Sequence, residues 1–182
     1  MTKAQTREAL IRAALELFDE RGYDATTAAA IAERAGVTEM TFFRHFPSKS
    51  SLLVDDPYDP LIAEAIRHQP PQLTPIAAAI GAIAEGWRAV RPPHSGEVRS
   101  RLRIVSRTPS LRGAIATSNA ATEAAISGAL VARGVSLLDA RIAAAATMGA
   151  LTAALLDWAE GDDPDLSTAI DAALRVLAGG AP

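Results

Sequence analysis

Residues 26–53 read TTAAAIAERAGVTEMTFFRHFPSKSSLL. Thr26 and Thr27 offer an N-cap to a short helix carrying Ile31, Ala32 and Ala35, which stops at Gly36-Val37 because glycine supplies the sharp turn. Thr38 caps the next segment, Thr38 to His45, which turns Phe42 and Phe46 inward and leaves Glu39, Met40, Thr41 and Arg44 for other faces. Pro47-Ser48 closes it, and Ser48 caps a fourth helix through Leu53. Two short helices joined at Ala35-Gly36-Val37, with Val37, Ile31 and Phe42 locking their crossing, make a helix-turn-helix whose second helix can enter a major groove.

Upstream, Leu10, Ile11, Ala14, Leu17 and Phe18 recur at helical spacing from Ala4 to Arg21, and Gly22 ends that amphipathic helix. Downstream of residue 54 prolines arrive in clusters (Pro57, Pro60, Pro70-Pro71, Pro92-Pro93), which sets the domain boundary between residues 1–54 and 55–182. Asp59-Pro60, Thr74-Pro75, Thr108-Pro109 and Asp163-Pro164 each place a capping residue before a proline, the order that starts helices. The patterns that follow run from Pro75 through Trp87, from Ser95 through Val105, from Ser110 to about Arg133, from Asp139 to Glu160 and from Asp165 to Ala178. No period-2 pattern interrupts them, so the expected fold class is all-α.

With 49% apolar and 21% charged residues the chain can bury a core. The absence of cysteine excludes disulfides and thiolate metal sites. The N-terminus lacks the apolar core of a signal peptide and no later run reaches about 18 consecutive apolar residues, so a cytoplasmic protein outside the membrane is expected. Net charge is −3, and residues 1–54 carry seven basic and seven acidic side chains. Any nucleic-acid surface must therefore be a local patch, with the acids of the first helix turned away from it.

The run 26–53, together with ALELFDERGYDA before it, resembles the TetR family of bacterial transcriptional regulators, through Gly22-Tyr23, Ala35-Gly36-Val37, Thr41-Phe42, His45-Phe46 and Ser48-Lys49. The resemblance implies a homodimer, usually a repressor, that binds a near-palindromic double-stranded DNA operator. It implies phosphate contacts by Thr26 and Thr27, by His45 and Lys49, and base-edge or adjacent phosphate contacts from Thr38, Glu39, Met40, Thr41 and Arg44. Where the family commonly has tyrosine this chain has Phe43, so one phenol-to-phosphate hydrogen bond is missing.

The resemblance also places a small-molecule effector site and the dimer interface in the C-terminal part. The run DDPYDPLIAEAIRHQP, residues 55–70, resembles a subgroup that includes regulators of acyl-CoA-like ligands. Arg99, Arg103 and Arg107, spaced by four with Arg101 and Arg112 nearby, form either a cationic stripe for an anionic effector or a solvated face. Ile83, Trp87, Leu102, Arg103 and Val105 are the candidate effector contacts, with filled core as the alternative. The Asp139 to Glu160 helix is apolar on nearly every face and needs cover from a partner: Ala145, Ala146, Gly149 and Ala153 allow close approach, and Met148, Leu151, Leu155, Trp158 and Leu174 are the candidate dimer contacts. No catalytic motif is present, no cofactor is expected, and Asp55, Asp56 and Asp59 read as linker and cap residues rather than metal ligands. The remaining alternative is a ligand- or protein-binding module that has abandoned DNA, favoured by the near-neutral head.

Overall fold

Ten α-helices and one 3₁₀ turn, with no strand, account for the described residues of this computed structural model, which are 1–54, 59–89 and 95–180. Asp55 and Asp56, read above as linker, and the prolines Pro57, Pro92 and Pro93 lie outside them. The chain divides into two compact units, Met1–Asp55 with Ser100–Ile115, and Asp56–Arg99 with Ala116–Pro182.

In the first unit, α1 (Lys3–Arg21) opens on a capping box in which Thr2 and Gln5 exchange side-chain and backbone hydrogen bonds. Its stripe of Leu10, Ile11, Ala14, Leu17 and Phe18 is buried, as the spacing predicts. Against it packs α2 (Ala28–Arg34), which in turn meets α3 (Glu39–His45). Gly36 has φ +70°, the left-handed region that ordinary side chains avoid, so the turn between the two short helices depends on glycine. Arg34 clamps α2 onto α1 by a bidentate pair with Glu20, both contacts at 2.9 Å, and a third at 3.4 Å to Glu16. That pairing lowers the Glu20 carboxyl below its ordinary range. The short α4 (Ser51–Val54) is capped by Ser48, whose hydroxyl accepts from the Ser51 amide at 3.2 Å. Residues 100–115 add the 3₁₀ turn Pro109–Leu111, in which Leu111 is fully buried and Ser110 donates to Asp24 at 2.6 Å.

The second unit contains α5 (Asp59–His68), α6 (Pro75–Ala89), α9 (Leu137–Glu160) and α10 (Leu166–Leu177), the start of α7 (Ser95–Arg107) and most of α8 (Arg112–Ala132). Its core is mostly alanine (Ala63, Ala78, Ala79, Ala82, Ala129, Ala140, Ala143, Ala144) around Ile66, Ile126 and Leu130. Of the apolar stripe expected on α6, Ile76, Ile80, Ile83, Ala84 and Trp87, Ile83 is buried and the others are half-buried, while Ala78, Ala79 and Ala82 of the neighbouring face lie fully in the core. Arg133, at the C-terminal end of α8, donates to the carbonyls of Ile66, Gln69 and Pro70 and so satisfies the C-terminal end of α5. On the surface of α5, Arg67 pairs with Glu64.

Three expected helix starts are corrected. α9 begins at Leu137, because Ser136 is the cap and accepts from the Asp139 amide at 3.1 Å. α10 is capped by Asp165, while Asp163 accepts from the Asp165 amide in the turn before it. Thr108 makes no side-chain cap and introduces the 3₁₀ turn, so α8 starts at Arg112 instead of Ser110. Thr74 caps α6 as expected, accepting from Ala77 at 3.2 Å. By length and composition alone α9 meets the description of a membrane span, which core helices of other proteins also meet and which counting uninterrupted apolar residues did not show; 28% of its most apolar stretch is buried.

Candidate nucleic-acid interface

The helix α3 sorts its residues by angle. Phe42 points inward with no exposure, as does Phe46 just beyond the helix end. Glu39, Met40, Phe43 and Arg44 occupy the opposite face, each exposed, Met40 at 81% and Phe43 at 49%. At 100° per residue these four cover one continuous arc, with Thr41 and His45, both half-buried, at the margin beyond Arg44. Met40 and Phe43 thus place apolar side chains next to each other on the exposed face of this short helix.

Thr38 caps α3, accepting from the Thr41 amide at 3.2 Å, and its hydroxyl lies 3.0 Å from that of Thr41. The two hydroxyls fix each other, which holds the first turn of α3 rigid beside Glu39 and Met40. At the other end, His45 lies in the field of Arg44, Lys3 and Arg7; burial first, and these cations after it, lower its pKa below 6.5. The Arg7 guanidinium covers the Phe46 ring at 4.8 Å. The local positive patch in a head of zero net charge is therefore Lys3, Arg7 and Arg44 around the His45 imidazole, while Glu16 and Glu20 are engaged by Arg34.

The threonines before α2 separate into two roles. Thr27 is exposed and caps the helix by accepting from the Ala30 amide at 3.1 Å. Thr26 is buried; its hydroxyl donates to the carbonyls of Gly22 at 2.8 Å and Leu17 at 3.3 Å, which corrects the expectation of a hydroxyl facing phosphate. Its role is to fold the α1–α2 turn. Lys49, expected at a phosphate, donates to the carbonyls of Tyr23 and Thr26, each at 2.7 Å, and burial lowers its pKa. One of its three N–H groups remains beyond these two bonds. That double contact was not readable in sequence, because backbone carbonyls carry no residue signature.

The remaining expected positions fall in different places. Ile83 is buried and Trp87 half-buried in the second unit, where the Trp87 indole donates to Ser167 at 3.3 Å. Leu102 and Arg103 are half-buried and Val105 buried in the first. Of the expected dimer contacts, Met148, Leu151 and Leu155 are half-buried, whereas Trp158 and Leu174 are buried within their own unit and cannot reach a partner, a correction that follows from α9 packing along α10. The face α9 leaves open is Leu138, Ile142, Ala145, Gly149 and Ala153. Arg99 is half-buried with its guanidinium 4.2 Å from the centre of the Trp158 ring.

Residues 10–55 match the bacterial regulatory proteins of the tetR family, and residues 73–182 match the MftR C-terminal domain. The HTH-type transcriptional regulator TcmR of Streptomyces glaucescens is 37% identical over 117 residues, 59% of this chain and 50% of TcmR. The class A tetracycline repressor of transposon 1721 from Escherichia coli is 40% identical over 72 residues, 40% of this chain and 32% of that repressor. The chain thus matches half or less of the length of these relatives. In fold it is similar along 98% of its length to NalD, the secondary repressor of the MexAB-OprM efflux pump in Pseudomonas aeruginosa, with a TM-score of 0.58, 24% identity and 97% of that chain covered. It is similar also to Thermus thermophilus FadR, with a TM-score of 0.50, 24% identity, and coverage of 96% of this chain and 94% of that one. With both matched segments lying on helix-turn-helix and C-terminal helical parts already described, the chain belongs to the TetR family of bacterial transcriptional regulators.

Proposed function

We propose that the protein is a cytoplasmic homodimeric repressor that leaves a near-palindromic operator when a small molecule binds. The observation that carries this reading is the exposed arc of Glu39, Met40, Phe43 and Arg44 on α3, backed by the buried Phe42 and bordered by the Lys3 and Arg7 cations and the His45 imidazole. Arg44 suits guanine or phosphate, Glu39 accepts from cytosine N4, and the methionine and phenylalanine side chains suit thymine methyl groups. Thr27 and the spare N–H of Lys49 serve the phosphates on either side.

Dimerisation uses the open face of α9. An apolar helix with only 28% of its most apolar window buried needs cover, and Ala145, Gly149 and Ala153 admit a second helix at close range, with Leu138 and Ile142 at the end of the same stripe. The effector belongs to the second unit, where the half-buried Trp87 supplies apolar surface. An anionic or acyl-CoA-like effector is supported by the 55–70 resemblance and by FadR of the same fold, which was solved with lauroyl-CoA. The effector favours a separation of the heads that no longer matches half-sites about 34–36 Å apart.

The test is selection of fragments of the source genome by purified protein at two salt concentrations. An enriched near-palindrome whose binding weakens with salt and with Arg44→Ala supports the reading. If no fragment is enriched at low salt, the protein is not an operator-binding regulator.

A further inference from the structure

The geometry points to an oxyanion site at Arg99 and Trp158 in the second unit, where a carboxylate or phosphate group of the effector is bound. Trp158 is 6% exposed and its indole N–H, although buried, has no hydrogen-bond partner. Arg99 lies with its guanidinium 4.2 Å from the centre of that ring, and its Nε–H is likewise buried and without a partner. Buried donors are almost always satisfied in folded proteins, so two of them on stacked side chains mark a place where an acceptor is to be supplied.

The charge balance favours an anion as that acceptor. The guanidinium is permanently charged, and among the described residues its hydrogen bond goes to the Asp163 backbone carbonyl, which holds it in place without neutralising it. Arg99 takes part in no ion pair with the described residues. The Trp158 face supports the guanidinium from one side, leaving the edge that carries Nε–H for a planar or tetrahedral oxyanion, with the indole N–H as a second donor. A neutral acceptor would satisfy the N–H groups and leave the charge. The site deepens the effector reading and rests on it, but it uses Arg99 and Trp158 in place of the arginine stripe taken as a whole.

Calorimetric titration of the full chain with octanoate, octyl phosphate and octanol, in the absence of DNA, tests it. Both acids are expected to bind, with octanol at least about tenfold weaker. The ratio between the acids distinguishes a carboxylate from a phosphate site. Arg99→Gln lowers affinity for the acids by about tenfold or more, Arg99→Lys by less, and Trp158→Phe, which keeps the ring and removes the N–H, by about threefold to tenfold, while octanol binding is unchanged. Arg67→Gln, on the surface of α5, binds as the unaltered protein does. Thermal melting identifies a variant that fails to fold, and Arg99→Lys and Trp158→Phe then decide. Binding of octanol equal to that of the acids, no binding of either acid, or acid binding indifferent to Arg99 and Trp158 overturns the site. Operator selection is measured separately on the unaltered chain, so loss of this site leaves the DNA-binding reading standing, and the reverse.

Discussion

The ammonium of Lys49 lies 3.9 Å from the centre of the Tyr23 ring while it donates to the Tyr23 carbonyl at 2.7 Å. One side chain from the loop after α3 thus holds both the ring and the backbone carbonyl of Tyr23 in the α1–α2 turn. Lys49→Ala is expected to cost about 1–3 kcal/mol of stability, from the two carbonyl bonds and the ring contact together. Urea unfolding measures it, and a change near zero would show that the lysine acts on DNA alone.

Met40 and Phe43 carry the opposite expectation. Met40 is exposed, so Met40→Ala leaves the stability nearly unchanged, within about 0.5 kcal/mol, while Phe43→Ala, which loses the edge contact with Phe42, costs about 0.5–1.5 kcal/mol. Operator affinity, followed by fluorescence anisotropy, falls by about tenfold for either if they meet base methyl groups. Equal affinity of variant and parent would remove both from the interface.

Phe42→Ala separates core from surface on the same helix. Its ring is fully buried and contacts Phe43 and Phe46 at centroid distances of 5.3 and 5.9 Å. A loss of about 3–5 kcal/mol is expected, enough to melt the head.

His45 gives the interface a pH dependence of known sign. Its folded-state pKa lies below 6.5, through burial and then the Arg44, Lys3 and Arg7 charges, so as pH falls the unfolded chain takes up the proton first. Its contribution to stability is therefore present above about pH 6.5 and is lost as pH falls towards the lower folded value. A DNA phosphate beside the imidazole acts the other way and raises its pKa, so operator binding should tighten as pH falls from neutrality. Imidazole proton shifts with and without operator DNA report this directly, and His45→Gln should flatten the pH profile of binding.

Ile142→Asp tests the dimer face. Ile142 is 56% exposed, so the charge is tolerated in a single chain and excluded from a helix-to-helix contact. Sedimentation should show a monomer with unaltered helix content and weakened operator binding. A dimer of undiminished affinity would move the interface elsewhere.

Much of the first unit was legible because its punctuation is local: Thr27, Thr38 and Gly36 act within three residues of where they stand, and Phe42 and Phe46 follow from helical period. Contacts made by backbone atoms or between distant segments were not legible. Thr26 and Lys49 look like phosphate ligands in sequence, yet both spend hydrogen bonds on carbonyls. Trp158 looks like a dimer anchor, and the arginine that covers it stands in another helix. In α9 the small residues Ala145, Gly149 and Ala153 were legible as a stripe for close approach and are exposed, whereas Leu138 and Ile142 on the same face were not, because the abundance of alanine blurred the apolar period.

The 3₁₀ turn at Pro109–Leu111 has a meaning for how such a protein could be rebuilt. Ser110 holds Asp24, next to the residue that Lys49 grips, and Leu111 is buried in the same unit as α1. A reading head cut away at residue 54 would therefore be transplanted without one of its own pieces. A graft meant to carry one operator preference onto another sensor must bring two stretches of chain, the first and the one around residue 110, or it will join a complete receiver to an incomplete switch.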